Sequence, residues 1–310
     1  MSLKRRQVLT LAGLSGLGLA FLGKVLQGQT AQSSHRNSTA PSNSEATSSA
    51  TATPIGPLLR FVSVADTGTG AEGQYAVAQA MTHYYRKTAF PLVILAGDNI
   101  YNNGEIEKIN AVFEKPYQTL IKQNVKFYAC LGNHDVRTAN GDPQVRYPGF
   151  NMQGRYYTFR QGPAQFYALD TNQRTNWKSQ LTWLEQQLKR SDAPWKIVFG
   201  HHPIYSSGLY GSDQALIQDL TPLFQKYRVQ LYINGHEHNY ERTRSIKGTT
   251  YLICGSGAGT RPVGRSAWTA SSAERLSFAA FEVYGDRINV SGIGTNNQVF
   301  DQGIIRLQTT

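Results

Sequence analysis

The chain has 310 residues, with 31 Lys and Arg against 20 Asp and Glu, a net charge of +11 and two cysteines. So few cysteines exclude a disulfide-stapled scaffold, and no Lys/Arg-rich run with interleaved aromatics marks a nucleic-acid site. Residues 1–54 hold Lys4, Arg5, Arg6, Lys24 and Arg36 against the single acid Glu45, a net of +4, so the remainder carries +7. That mild field either attracts small anionic substrates or serves solubility alone.

In chain order, Lys4-Arg5-Arg6 precedes the uncharged, Leu- and Gly-rich run 7–23, which is the layout of an export signal over residues 1–33. The paired arginines resemble a twin-arginine signal and predict a periplasmic or extracellular protein that meets the membrane only in transit, or stays anchored there if the signal is not cleaved. Residues 34–54 are rich in Ser, Thr, Ala, Asn and Pro, too polar to offset their ordering entropy, and predict a disordered linker. Residues 55–310 remain as one large domain.

Within it, residues 58–65 read as a strand with Asp66 at its end, 73–87 as a helix, and 92–96 as a buried strand running into Gly97-Asp98. A helix is predicted from Glu105 through Ile106, Ile109, Val112 and Phe113. The strand 125–131 then ends in Gly132-Asn133-His134-Asp135. A long loop spans 137–154, and two strands within 155–170 turn at Gly162-Pro163. An amphipathic helix covers 175–190, and strand 195–199 leads into Gly200-His201-His202-Pro203. Residues 212–227 read as a helix interrupted at Pro222, 229–233 as a buried strand, and the chain from 249 onward as mostly β. Helices alternating with strands, then strands alone, predict α/β layers with at least one mixed sheet and a ligand site at the strand carboxyl ends.

The polar residues concentrate at those ends: Asp66, Asp98, Asn133, His201, and the pair His236 and His238. On extended backbone, residues two apart face the same way, so the last two rings are expected to converge. Five of the seven histidines (134, 201, 202, 236 and 238) fall in these clusters, which scattered surface histidines would not do. Carboxylate, amide oxygen and imidazole suit borderline and hard cations, and no cysteine stands near to make a thiolate zinc site. Cys130 and Cys254 read as buried core residues, with a disulfide not favoured.

The set Asp66-x-Gly68, Gly97-Asp98-x-x-Tyr101, Gly132-Asn133-His134-Asp135, Val198-x-x-His201 and Gly235-His236-x-His238, in this order, resembles the five motifs of the purple acid phosphatases, within the calcineurin-like metallophosphoesterases. The resemblance implies a four-layer α/β/β/α sandwich of two mixed β-sheets flanked by helices. It implies a binuclear phosphatase that hydrolyses phosphate monoesters with a metal-bound hydroxide, and it gives the ligand sets. Asp66, Asp98, Tyr101 and His238 would hold one ion, and Asn133, His201 and His236 the other, with Asp98 bridging. Two cations about 3.5 to 4 Å apart clamp the oxygens of an in-line displacement. A phenolate ligand favours Fe(III) at the Tyr101 site, with Fe(II), Zn(II) or Mn(II) at the other, although Tyr101 packed beside two divalent ions is an open alternative.

Around the ions, His134 and Asp135 are expected to orient ligands or substrate, and His202 either faces the substrate or packs. Small members of the family commonly carry a proton-donating histidine nine residues after the ligand matching His201, where this chain has Tyr210. A phenol is the weaker acid by about 3.5 pKa units, which predicts poor turnover of substrates with poor leaving groups. A phosphodiesterase or nucleotide hydrolase on the same scaffold, or a metal-loaded binding protein without turnover, are the competing readings. Gly68-x-Gly70-x-x-Gly73 also fits a dinucleotide fingerprint, but Asp66 would repel a pyrophosphate and no acid follows about twenty residues on.

Overall fold

A computed structural model describes residues 56–308. The expected export signal (1–33) and linker (34–54) lie outside the described residues. Among the described residues no helix is long and apolar enough to cross a membrane.

Among the described residues thirteen strands form two mixed sheets. The first is built from β1 (Leu59–Val64), β2 (Leu92–Leu95), β3 (Lys126–Ala129), β11 (Ser277–Val283), β12 (Arg287–Gly294) and β13 (Val299–Arg306) in the order β13-β12-β11-β1-β2-β3. The second holds β4 (Tyr157–Gln161), β5 (Ala164–Ala168), β6 (Trp195–Phe199), β7 (Leu231–Asn234), β8 (Tyr240–Thr243), β9 (Thr250–Cys254) and β10 (Thr269–Ala273) in the order β10-β8-β9-β7-β6-β5-β4. β1, β2 and β3 run parallel, as do β5, β6, β7 and β9, while the outer strands pair antiparallel. The expected α/β class with mixed sheets holds.

The continuous apolar runs follow from burial on both faces. In β1, Leu59 and Phe61 point between the sheets while Val62 and Val64 point to a helical layer, and β2 splits Leu92 and Ile94 from Val93 and Leu95 in the same way. Phe61 stacks on Phe281 of its own sheet at 4.3 Å and meets Phe166 of the other edge-on at 5.2 Å. Helices α1 (Glu72–Lys87) and α2 (Gln118–Lys122) cover the first sheet through Val77, Met81 and Leu120. Helices α4 (Trp177–Arg190) and α5 (Gln214–Tyr227) cover the second through Leu184, Leu188, Leu216, Leu220 and Phe224. Each such side chain contributes about 1.5–3 kcal/mol by leaving water, and the four layers are α/β/β/α.

Two local expectations are corrected. The segment after Glu105 is a 3-10 turn (Ile106–Lys108) and a wide π-type turn (Asn110–Glu114) ahead of α2; of its apolar residues Val112 and Phe113 are buried, while Ile109 packs against the core only in part. Helix α5 is not interrupted at Pro222. The ring sits on the exposed face, and the buried stripe Leu216, Leu220, Phe224 outweighs the roughly 3 kcal/mol that an interior proline costs. The long loop 137–154 contains the short helix α3 (Asp142–Val145) and 3-10 turns rather than open coil. Cys130 and Cys254 are buried free thiols, with Cys254 Sγ 3.2 Å from Ser63 Oγ.

The sheets are also joined by charge. Arg242 on β8 forks onto Asp301 on β13, with Nε to Oδ2 at 2.7 Å and Nη2 to Oδ1 at 2.9 Å, and the Tyr240 hydroxyl donates to Oδ2 at 2.7 Å. Burial pushes the Asp301 carboxyl up, but the Arg242 and Tyr240 hydrogen bonds outweigh it and hold it below the ordinary carboxylate value. A depressed folded pKa adds stability above the unfolded value, about 3.9, and loses it as pH falls below that. Asp301→Asn is therefore expected to cost about 2 kcal/mol at pH 7 in urea unfolding, with the gap to the native protein narrowing near pH 3. A gap that stays constant between those two pH values would refute the assignment.

Candidate metal centre

Parallel strands end at one edge, so β1, β2, β3, β6 and β7 deliver five polar loops to one place. Asp66 follows β1, Asp98 and Tyr101 follow β2, Asn133 and His134 follow β3, His201 and His202 follow β6, and His236 and His238 follow β7. The loops are tied to each other by backbone: Asp66 N donates to Gly97 O (3.0 Å), Tyr101 N to Gly68 O (2.8 Å) and Gly235 N to His201 O (3.1 Å). Four of these residues are left-handed, with φ of 58° at Asp66, 53° at Asp98, 73° at His236 and 44° at His238. For non-glycine residues that conformation costs on the order of 1 kcal/mol or more each, so surrounding contacts must hold it. Glycine is required beside them: a Cβ on Gly97 would stand 2.5 Å from His201 Nδ1, and one on Gly132 2.1 Å from Asp98 Oδ1.

The left-handed turns correct the expectation for His236 and His238. The strand ends at Asn234, and the two rings diverge instead of facing one point. His236 Nδ1 reaches Asn133 Oδ1 at 2.9 Å, whereas His238 Nε2 lies 3.1 Å from the Tyr101 hydroxyl and 3.3 Å from Asp66 Oδ1. The site thus has two lobes. In one, the Tyr101 hydroxyl donates to Asp66 Oδ1 at 3.0 Å beside His238. In the other, Asn133 Oδ1 lies between His236 Nδ1 and His201 Nε2, the latter at 3.1 Å. Asp98 joins them: its Oδ2 is 3.5 Å from His201 Nε2, and one donor atom each from Asp66, Asp98 and His201 lies within 4.8 Å of the others.

The donor chemistry fits cations. His201 Nδ1 lies 3.0 Å from the Ala96 carbonyl, which can only accept, so Nδ1 carries a proton and Nε2 is the atom that presents a lone pair when the ring is neutral; burial pulls the ring down, but the Asp98 and Asp66 charges outweigh it and hold it above its ordinary value. That lone pair faces Asn133 Oδ1 and Asp98 Oδ2, both acceptors, an arrangement that a positive ion satisfies. Burial pushes the Asp66 carboxyl up, but the His238 hydrogen bond and the charges of His201, His238 and His236 leave it below its ordinary value. Burial and the neighbouring imidazoles pull His236 down to about 3 and His202 to about 2, so both rings are neutral, and His236 is in the state in which an imidazole can bind a metal. Burial and the Asp66 and Asp98 charges hold the Tyr101 phenol far above its ordinary value.

The other expected residues surround this core. The His134 ring lies 4.5 Å from the Tyr101 ring, its Nδ1 2.7 Å from the Asn102 carbonyl and its Nε2 3.9 Å from Asp98 Oδ2. Asp135 is buried and accepts from Asn99 N, Ile100 N, Gly132 N and the side chains of Asn99 and Gln144, so it orients two ligand loops. Burial and the Asp98 charge push its carboxyl up to about 7 against those donors. Tyr210 is 58 % exposed, with its ring 4.8 Å from that of His236.

His202, Asn133 and His236 line a cavity of about 630 Å³ that opens onto the second lobe. Thr171 Oγ1 accepts from the backbone N–H groups of His201 and His202, so its proton goes to His202 Nδ1 at 2.8 Å, leaving the ring protonated at Nε2. The role of Thr171 was not foreseen, although β5 runs parallel to β6 and must end at the same edge. Nor was that of Glu237, buried between His236 and His238, whose Oε1 accepts from Ser206 Oγ and Tyr210 N and fixes the loop bearing Tyr210.

Residues 59–240 match the family model described as calcineurin-like phosphoesterase, and the chain belongs to that family. Among curated relatives it is similar to purple acid phosphatase 7 of Arabidopsis thaliana, 29% identical over 231 residues that cover 64% of this chain and 70% of that protein. It is also similar to tartrate-resistant acid phosphatase type 5 of Mus musculus, 26% identical over 239 residues that cover 65% and 73%. In fold it resembles purple acid phosphatase PPD1 from yellow lupin seeds, with a TM-score of 0.70 at 20% identity over 80% of this chain and 53% of that one. It equally resembles GAP50 of Plasmodium, with a TM-score of 0.72 at 22% identity over 81% and 90%.

Proposed function

We propose that the protein is an exported binuclear acid phosphatase that hydrolyses small phosphate monoesters. The observation that carries this reading is the two-lobed donor set joined by Asp98, with a tyrosine in one lobe only. Asp66, Tyr101 and His238 would hold one ion, Asn133, His201 and His236 the other, and Asp98 both. When bound, the ions neutralise phosphate charge and make water acidic enough to ionise near neutral pH. The phenol favours Fe(III) in its lobe, with Fe(II), Zn(II) or Mn(II) in the other.

The chain's own groups then bind and orient the substrate. His202, neutral and protonated at Nε2, offers one hydrogen bond to a phosphate oxygen in the cavity. His134 is aimed by the Asn102 carbonyl beside Asp98. Tyr210 stands at the mouth over His236, and as a phenol it is a weak acid for the departing alkoxide. The basic N-terminal segment with Lys4-Arg5-Arg6 supports export, and the domain's excess of positive charge suits small phosphorylated substrates.

The test is metal analysis and hydrolysis of p-nitrophenyl phosphate by protein loaded with iron alone, or with iron and zinc or manganese. Two ions per chain, turnover, and an aryl ester cleaved at least about tenfold faster than an alkyl phosphate are expected. Tyr101→Phe is expected to abolish the visible phenolate-to-iron absorption. A protein that binds two ions and phosphate yet turns nothing over would reject the enzyme reading, and a colour unaltered in Tyr101→Phe would reject the iron assignment.

A further inference from the structure

The amino ends of the parallel strands lie at the edge opposite the metal centre, and the connections gathered there are strongly basic. Segments 86–91, 122–126, 160–164, 189–196, 226–230, 244–249 and 283–287 turn the chain at that edge, and 306–308 ends there, with Arg306 paired in register to Arg287. These 43 residues hold fourteen lysines and arginines against two acids, Asp192 and Asp286, a net of +12 where the whole domain has +7. Charge kept for solubility alone would be spread over both edges.

Little of this charge is neutralised within the molecule. Arg160 pairs with Asp192, Arg287 with Asp286, and Lys226 with Glu185 just inside the edge. The others make no ion pair among the described residues, and Arg86, Lys87, Lys122, Lys126, Lys189 and Arg190 are exposed. Apolar groups accompany them. Of six large hydrophobic side chains exposed among the described residues, three stand at or near this edge: Leu58 ahead of β1, Ile121 beside Lys122, and Ile304 two residues before Arg306. Strands about 4.8 Å apart, six or seven to a sheet, make the edge a broad face about 30 Å across, not a groove that one polymer chain would follow.

We infer that this edge is a docking surface for an anionic lipid bilayer. The exposed cations meet lipid phosphates, and Leu58, Ile121 and Ile304 reach into the headgroup region. Residues 1–55, with Lys4-Arg5-Arg6 and the uncharged run 7–23, join the domain at this same edge, ahead of β1. A chain whose N-terminal segment engages a membrane therefore presents this face to it. The metal centre then opens away from the lipid, toward soluble substrates, and the inference holds whether or not that centre is catalytic.

The test is co-sedimentation of the full chain with vesicles of phosphatidylcholine alone or mixed with phosphatidylglycerol. The native protein is expected to bind the mixed vesicles about tenfold or more tightly than the neutral ones, and less so as salt is raised. The triple variant Lys87→Gln, Lys126→Gln, Arg190→Gln should lose about tenfold or more of its affinity for the mixed vesicles. Lys178→Gln, Arg265→Gln, Arg275→Gln removes as much charge from segments that follow β5 and β9 or precede β11, at the other edge, and should lose less than about threefold. All three proteins share one N-terminal segment, so the difference between the triples reports the domain. Acetylation of lysines in the native protein, read by mass spectrometry, is the second readout and needs no variant. The mixed vesicles should slow it about fivefold or more at Lys122, Lys126 and Lys189 and leave Lys178 unaltered. Equal losses in the two triples, or shielding that does not favour the edge lysines, would overturn the inference. So would binding to dextran sulfate with none to vesicles, which would give the edge to a polyanionic polymer.

Discussion

Asp98→Asn is expected to lower p-nitrophenyl phosphate turnover on the order of 10³-fold, about 4 kcal/mol in barrier, and to reduce the bound metal below two ions per chain. Its carboxylate is the group that faces both lobes, 3.5 Å from His201 Nε2 and within reach of Asp66. An amide of the same shape can still accept from the His134 backbone N–H, now 2.9 Å from Oδ1, so the loop is expected to keep its place. On the proposed two-ion reading, what is lost is the negative charge between the cations, and neither lobe has a spare carboxylate to replace it. In the metal-free protein the same change removes a charge that pushes against Asp135 and disfavours a Tyr101 phenolate. The metal-free variant should therefore unfold at the same or a higher temperature than the native chain. Lost turnover with undiminished thermal stability separates a site effect from a folding defect. Turnover within about tenfold of native, with two ions still bound, would remove Asp98 from the centre.

The strands β1, β2, β3, β6 and β7 were legible because each is a short, largely apolar run closed by a polar cluster, and β6 occupies the predicted residues 195–199, whereas β8 (Tyr240–Thr243) and β10 (Thr269–Ala273) lack that pattern. Three departures share a cause, in that tertiary contacts decide what local pattern cannot. Pro222 reads as a break only until the buried face of α5 is known, and the residues after Glu105 have helical spacing but too few partners on the sheet. His236 and His238 were placed at the right strand end, but their directions depend on left-handed backbone set by contacts from other loops, including the His236 N–H donating to Asp66 Oδ2 at 2.8 Å. That Asp66, Asp98 and His201 stand close enough to share an ion follows from their places at the ends of parallel strands, which the sequence shows. Thr171 and Glu237 are common residues in unremarkable positions, and only the folded geometry gives them partners. The Arg242–Asp301 pair across the sandwich, 59 residues apart, has no sequence signal either.

The largest stability effect is expected at Asp135. Its carboxylate accepts from Asn99 N at 3.0 and 3.1 Å, Ile100 N at 3.0 Å, Gly132 N at 2.8 Å, Asn99 Nδ2 at 3.1 Å and Gln144 Nε2 at 3.0 Å, all buried. Through it the loop bearing Asp98 and Tyr101, the loop bearing Asn133, and α3 are fastened together. Asp135→Ala leaves these donors without their acceptor and opens a cavity too enclosed to rehydrate all of them, a loss of about 3–5 kcal/mol. For a domain of this size that lowers the melting temperature by about 10 °C. Asp135→Asn is not a mild substitute, because its amide nitrogen would face donors such as Gly132 N or Ile100 N. It is expected to fall between native and alanine in stability. Because Asn99–Ile100 and Gly132 lead directly into Tyr101 and Asn133, metal affinity should drop about 10- to 100-fold in both variants at temperatures where they remain folded. Differential scanning calorimetry and metal titration check the two effects separately. A melting temperature within about 2 °C of native in Asp135→Ala would show that the loops hold their geometry without this carboxylate.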